Sequence, residues 1–93
     1  MSSEAQRVIE QEIIGERVGA LARAVEALER ALADLSAAAG ARLREHLLEE
    51  ARERLWFVVV HREAIGLTRH EVLYEVLRVP GEVRRAMGPR RRR

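Results

Sequence analysis

Between Ile14 and Leu35 the apolar residues fall at Ile14, Val18, Leu21, Val25, Leu28, Leu32 and Leu35, in alternating steps of four and three. This spacing keeps one face of a helix apolar, and a strand cannot follow it, because strand side chains alternate with a period of two. It is a heptad seam, with Val18, Val25 and Leu32 as a positions and Ile14, Leu21, Leu28 and Leu35 as d positions. A second line of small residues, Ala20, Ala24, Ala27 and Ala31, runs beside the seam and lets a neighbouring helix come close. Glu4, Glu10, Glu12 and Glu16 crowd the start, which suits the positive end of a helix dipole. The seam and these acids predict a helix over about residues 3–38, roughly 50 Å long.

The segment Ser36-Ala37-Ala38-Ala39-Gly40 has the small residues and closing glycine of a helix end. A second helix over about 41–65 follows, with Leu43, Leu47, Ala51, Leu55, Val58 and Val59 facing the first. Arg42, Glu45, Glu49, Arg52 and Glu53 then face water. Leu55 to Val60 is apolar on every side and β-branched at its end. Read alone it suits a strand, but no second strand candidate exists to pair with it, and as a helix it must be covered on every face. After Gly66, Thr68 with Glu71 three residues later forms a capping box, predicting a short helix over about 68–78 with Val72, Leu73, Val76 and Leu77 buried. Pro80 breaks it and starts another over about 80–87, closed by Gly88-Pro89. Arg90 to Arg93 are expected to form a disordered basic tail.

The predicted fold is all-α: a long helical hairpin and two short helices, in one domain over 1–89. A chain of 93 residues leaves no room for two domains. A hairpin with so small a cap leaves apolar surface over. The expectation is therefore a homodimer in which two hairpins pair as a four-helix bundle, with Ala20, Ala24, Ala27 and Ala31 at the close contact. An intramolecular three-helix bundle, with residues 68–87 covering the hairpin, is the competing arrangement.

Composition excludes several chemistries. With no cysteine there are no disulfides, thiolate metal sites or cysteine nucleophiles. All 17 cationic residues are arginine, so no Schiff-base or phosphate-loop lysine exists. Serine occurs only at Ser2, Ser3 and Ser36, away from any nucleophile elbow. Glu-x-x-His and His-Glu-x-x-His are absent, and the one-turn pairing of His46 with Glu49 or Glu50 is routine on a charged helix. No catalytic residue, metal or cofactor is expected. No apolar run reaches the roughly 18 residues of a membrane span, and Met1-Ser2-Ser3-Glu4 lacks signal-peptide character, so the expected location is the cytoplasm.

Two regions carry functional candidates. Trp56, His61, Arg62 and Glu63 lie where a polar triplet follows six apolar residues near a helix end. Arg62 and Glu63 can pair with neighbours and fix how the short helices dock, or Arg62 can hold an anion in a small helical enzyme. The second region is Ile65 to Val72, which resembles the turn and second helix of a helix-turn-helix. Arg69, Arg84, Arg85, Arg90, Arg91, Arg92 and Arg93 would then meet phosphates. Arg62 stands where that motif wants a small residue, however, and Glu75 where it wants an apolar one. Residues 1–88 carry 13 Arg against 15 acids, net −2, so nonspecific contact through the tail is expected ahead of specific binding. A nucleic-acid-associated protein using the helix-turn-helix-like segment 62–79 and the Arg tail is the alternative function.

Trp56, the run Arg62-Glu63-Ala64-Ile65-Gly66-Leu67, then Val79-Pro80-Gly81-Glu82-Val83 and Gly88 together resemble the signature of a family of short bacterial helical proteins of unknown function. His61 stands where that signature has glutamine. The resemblance implies a helical fold and a bacterial origin, and it carries no activity. The expected function is a non-enzymatic, self-associating interaction or scaffold module.

Overall fold

A computed structural model describes residues 3–90 of the chain. Four helices follow in order: α1 (Glu4–Ala37), α2 (Ala41–Ala64), α3 (Glu71–Val76) and α4 (Gly81–Arg84). No strand occurs among the described residues.

Helix α1 is set by its seam and its cap. Ser3 is the N-cap in extended conformation, and its Oγ accepts from the Gln6 N–H at 3.3 Å. Gly40, at φ +92°, turns the chain back, and its carbonyl accepts from the Arg44 N–H to open α2. The hairpin is unequal, 34 residues against 24. At about 1.5 Å per residue, α2 retraces α1 only to about residue 14, so the first turns of α1 project beyond its end. Every residue from Glu4 to Val18 is exposed, and the mismatch accounts for the turns before about residue 14. The molecule is accordingly long, 61 × 29 × 20 Å.

Helix α2 ends in a left-handed turn that its sequence announces. Gly66 takes φ +91°, its N–H donates to the Glu63 carbonyl, and the Leu67 N–H donates to the Arg62 carbonyl. The same pair of bonds closes α3, from Arg78 to Glu75 and from Val79 to Tyr74. Here the left-handed residue is Arg78, at φ +51°. Val79 is buried as a result, and Pro80 follows as the N-cap of α4.

The C-terminal arm, residues 65–90, lies against the hairpin and completes a single core. Leu28, Ala31 and Leu35 of α1 and Ala51, Leu55, Val58 and Val59 of α2 meet Leu73, Val79 and Val83 of the arm. Within one chain the arm therefore covers part of the hairpin through Leu73, Val79 and Val83. Leu21, Val25, Leu32, Tyr74, Leu77 and Met87 pack around this centre.

Several details differ from the sequence-based expectation. α3 begins at Glu71 rather than at 68, and the Thr68 capping box does not form; His70 is the N-cap and makes no side-chain cap bond. The cause is Arg62, whose Nη2 holds the Arg69 carbonyl and whose Nε holds the His70 ring, pinning residues 69 and 70 ahead of the helix. Val72 and Val76 were expected in the core and are strongly exposed, because a six-residue helix buries only the face of Leu73 and Leu77. α4 is one turn rather than the span 80–87. On the seam, Ile14, at the limit of α2's reach, and Val18 are exposed rather than buried. Leu43 and Val60 also face outward, so the run from Leu55 to Val60 is not covered on every side. Among the described residues no helix is long and apolar enough to cross a membrane.

Candidate functional site

Arg62 and Glu63 occupy the last turn of α2, and the chain reversal at Gly66 brings His70 back over them. Arg62 Nε donates to His70 Nδ1 at 3.1 Å, and His70 Nε2 lies 3.2 Å from Glu63 Oε2. Because Nδ1 accepts from an arginine, it carries no proton; the ring proton sits on Nε2 and is donated to Glu63. Arg62 Nη2 also donates to the Arg69 carbonyl at 2.8 Å. Three of these contacts tie the end of α2 to the residues that precede α3. The His70 side chain is 11% exposed, whereas that of Glu63 is 53% exposed.

The other two residues of this sequence-derived cluster lie apart from that relay. His61 Nδ1 donates to the Phe57 carbonyl one turn back at 2.7 Å. Its ring borders a groove on the α1 side of α2. Trp56 is half-buried, with its ring 5.3 Å from that of Phe57 and tilted by 51°.

The groove runs between α1 and α2. One section, about 340 Å³, is lined by Ala20, Arg23, Ala24, Ala27, Arg54, Phe57 and His61. It continues, past Ala20, Arg23 and His61, into a second of about 470 Å³ lined also by Ile13, Glu16, Arg17 and Ala64. The alanine line is thus divided. Ala31 is buried in the chain's own core, while Ala20, Ala24 and Ala27 are half-buried and form the groove floor. Arg54 is paired with Glu50 at 2.9 Å, four residues back on α2. Arg17 and Arg23 have no carboxylate partner among the described residues.

Further ion pairs hold the arm along α2. Arg44 pairs with Glu82, and Arg52 Nε donates to the Glu82 backbone carbonyl at 3.0 Å. The hydrogen bond and charge of Arg44 hold the Glu82 carboxyl below its ordinary value, with Arg52 and Arg85 adding to the effect and desolvation opposing it. Arg44 is raised in turn by the same partner. Arg90 pairs with Glu50, and its backbone N–H donates to Glu53 Oε2 at 3.0 Å. The Arg84 guanidinium stands 5.2 Å from the centre of the Tyr74 ring, joining α4 to α3. Of the candidate phosphate-binding arginines, Arg84 and Arg90 therefore have partners within the chain. Arg69 engages through its carbonyl, Arg85 lies exposed beside α4, and Arg91, Arg92 and Arg93 lie outside the described residues.

Among the described residues no three His, Asp or Glu side chains gather where a metal ion could sit. His70, Arg44, Arg52, Glu50, Glu53 and Glu82 were not legible as site residues, because each gains its role from a partner that the arm brings back over α2.

The fold and these contacts define a class: an unequal helical hairpin with a C-terminal arm docked along it and a basic groove beside its exposed end. The chain belongs to a family of unknown function, DUF6665, which matches residues 2–92. No curated protein and no solved structure matches it.

Proposed function

We propose that the protein acts as a non-enzymatic helical interaction module that associates with itself through the free end of α1, forming a homodimer. The observation that carries this reading is the exposure of Val8, Ile9, Ile13, Ile14 and Val18, between 45% and 59% each, where α1 projects beyond α2 and runs alongside its last turns. Isolated exposed aliphatics are ordinary on a protein surface, but five within eleven consecutive residues of one projecting helix are not. A lone helix end of this kind also gains little from its own backbone, because helix stability in proteins comes mostly from packing. Association gives those turns a partner. Ile14 and Val18 continue the heptad seam of Leu28 and Leu35, while Ile9 and Ile13 continue the line of Ala20, Ala24 and Ala27, and it is this second face that leads into the groove.

The test is the solution mass of the full chain by light scattering at low and high salt. A dimer of about 21 kDa, twice the 10.6 kDa chain, supports the reading. A 10.6 kDa monomer across the accessible concentration range overturns it.

A further inference from the structure

We propose that the acceptor for the projecting end of α1 is the arginine-rimmed groove of a second copy, so that two chains pair reciprocally and antiparallel. This rests on the self-association reading and adds the two surfaces that meet. The projecting segment and the groove are opposite in charge. Residues 4–12, ahead of the groove, carry Glu4, Glu10 and Glu12 against Arg7, a net of −2. The groove lining carries Arg17, Arg23 and Arg54 against Glu16, and Arg17 and Arg23 have no carboxylate partner among the described residues. They are also opposite in shape. Ile9 and Ile13 stand out from the projecting turns, while Ala20, Ala24 and Ala27 leave the groove floor low enough for a helix to approach closely.

Both surfaces lie on one helix, about ten residues apart, and this makes the pairing self-complementary. An antiparallel copy whose two-fold axis crosses α1 near Glu16 and Arg17 lies Ile9 and Ile13 of each chain over Ala24 and Ala20 of the other. Both grooves are filled at once, which closes the assembly at two chains. A helix of another protein in the same groove would instead leave the purified chain monomeric. Charges of this arrangement set partner choice and orientation, so reversal on one side repels and reversal on both sides restores.

The experiment uses the full chain and two double variants, Glu10→Arg/Glu12→Arg and Arg17→Glu/Arg23→Glu, each checked for unchanged helix content by circular dichroism. Light scattering is read on each alone and on their equimolar mixture. Each variant alone is expected to dimerise at least about tenfold more weakly than the wild type, and the mixture to return to a dimer containing one of each, because every projecting end then faces a groove of opposite charge. If the end variant weakens but Arg17→Glu/Arg23→Glu remains as dimeric as the wild type, the free end meets a surface other than the groove: this inference falls and the self-association reading stands. If both remain as dimeric as the wild type, the chain associates away from the free end of α1 and both fall. If both weaken and the mixture does not recover, the pairing of these two surfaces is overturned. A monomeric wild type overturns both.

Discussion

Arg62 Nε donates to His70 Nδ1 at 3.1 Å across the turn that ends α2, and this bond sets where α3 can begin. Without it, Thr68 and Glu71 have the spacing to cap a longer helix. With it, residues 69 and 70 stay outside the helix, and Leu73 rather than Val72 enters the core. The contact is half-buried, and one arginine serves both a ring nitrogen and a backbone carbonyl. Arg62→Met is expected to lower stability by about 1–2 kcal/mol, the worth of hydrogen bonds to a charged group at such a site. The melting temperature should fall by several degrees with no ligand present. Arg62→Lys should recover only part of this, since an ammonium cannot reproduce the planar fork that reaches both partners. Thermal melts of the three proteins decide the matter, and an unchanged melt for Arg62→Met would remove the clamp.

The docking of α4 should weaken in acid. Glu82 has a lowered carboxyl value because Arg44 bonds and attracts its charged form. A depressed carboxylate stabilises the fold at pH above its unfolded value, and that contribution disappears as pH falls through its folded value. Glu82→Gln should therefore be less stable than the wild type at neutral pH and lose that difference only as pH falls below the ordinary carboxylate range, through the lowered folded value of Glu82. Melting curves of both proteins across this interval provide the measurement. A difference that persists unchanged in acid would mean that the pair with Arg44 does not contribute through its charge.

Two left-handed turns, one made by glycine and one by arginine, allow a paired test of backbone strain. Gly66 sits at φ +91° with open space where a Cβ would project, so Gly66→Ala meets no steric neighbour and is strained only by its backbone. A loss of about 1–2 kcal/mol is expected. Arg78 is exposed, at φ +51°, and no hydrogen bond or ion pair holds its side chain among the described residues. Arg78→Gly should relieve the turn and raise stability by about 0.5–1 kcal/mol, visible as a melting temperature higher by a few degrees. Opposite signs at the two positions are the expected result.

Legibility of the fold in the sequence followed the length of each pattern. The heptad seam repeats three times and Gly40 punctuates it, so the spans of α1 and α2 are expected to within a residue of those observed. In α3 and α4 the pattern is too short to outvote tertiary contacts. Val72, Leu73, Val76 and Leu77 read equally well as core, and only the pull of Arg62 on residues 69 and 70 selects Leu73 and Leu77. Arg78 shows a similar limit: a turn glycine announces a left-handed residue, and an arginine in that conformation does not. At the site, Arg62 and Glu63 stood out because polar residues follow an apolar run. Their partner His70 did not, since a separation of seven or eight residues across a turn has no helical periodicity. The inequality of the hairpin was readable as lengths, 3–38 against 41–65, but its consequence is geometric: exposure of the first turns of α1.

The alanine line is where stability and association should separate. Ala31 is 5% exposed and lies in the same core cluster as the fully buried Ala51 of α2. Ala20 lies about three turns nearer the free end, half-buried at the junction of the two groove sections. An arginine at position 31 would have to place a charge inside a core that contains no buried polar residue. Ala31→Arg is therefore expected to cost more than about 3 kcal/mol and to abolish cooperative folding. Ala20→Arg can extend its guanidinium into solvent, so its melting temperature should change by no more than about 2 °C, while its dimer dissociates at concentrations where the wild type stays paired. Calorimetry and light scattering on the same two samples measure the two effects independently. If Ala20→Arg melted far below the wild type, the groove floor would be part of the chain's own core, and the surface assigned to a second copy would already be occupied.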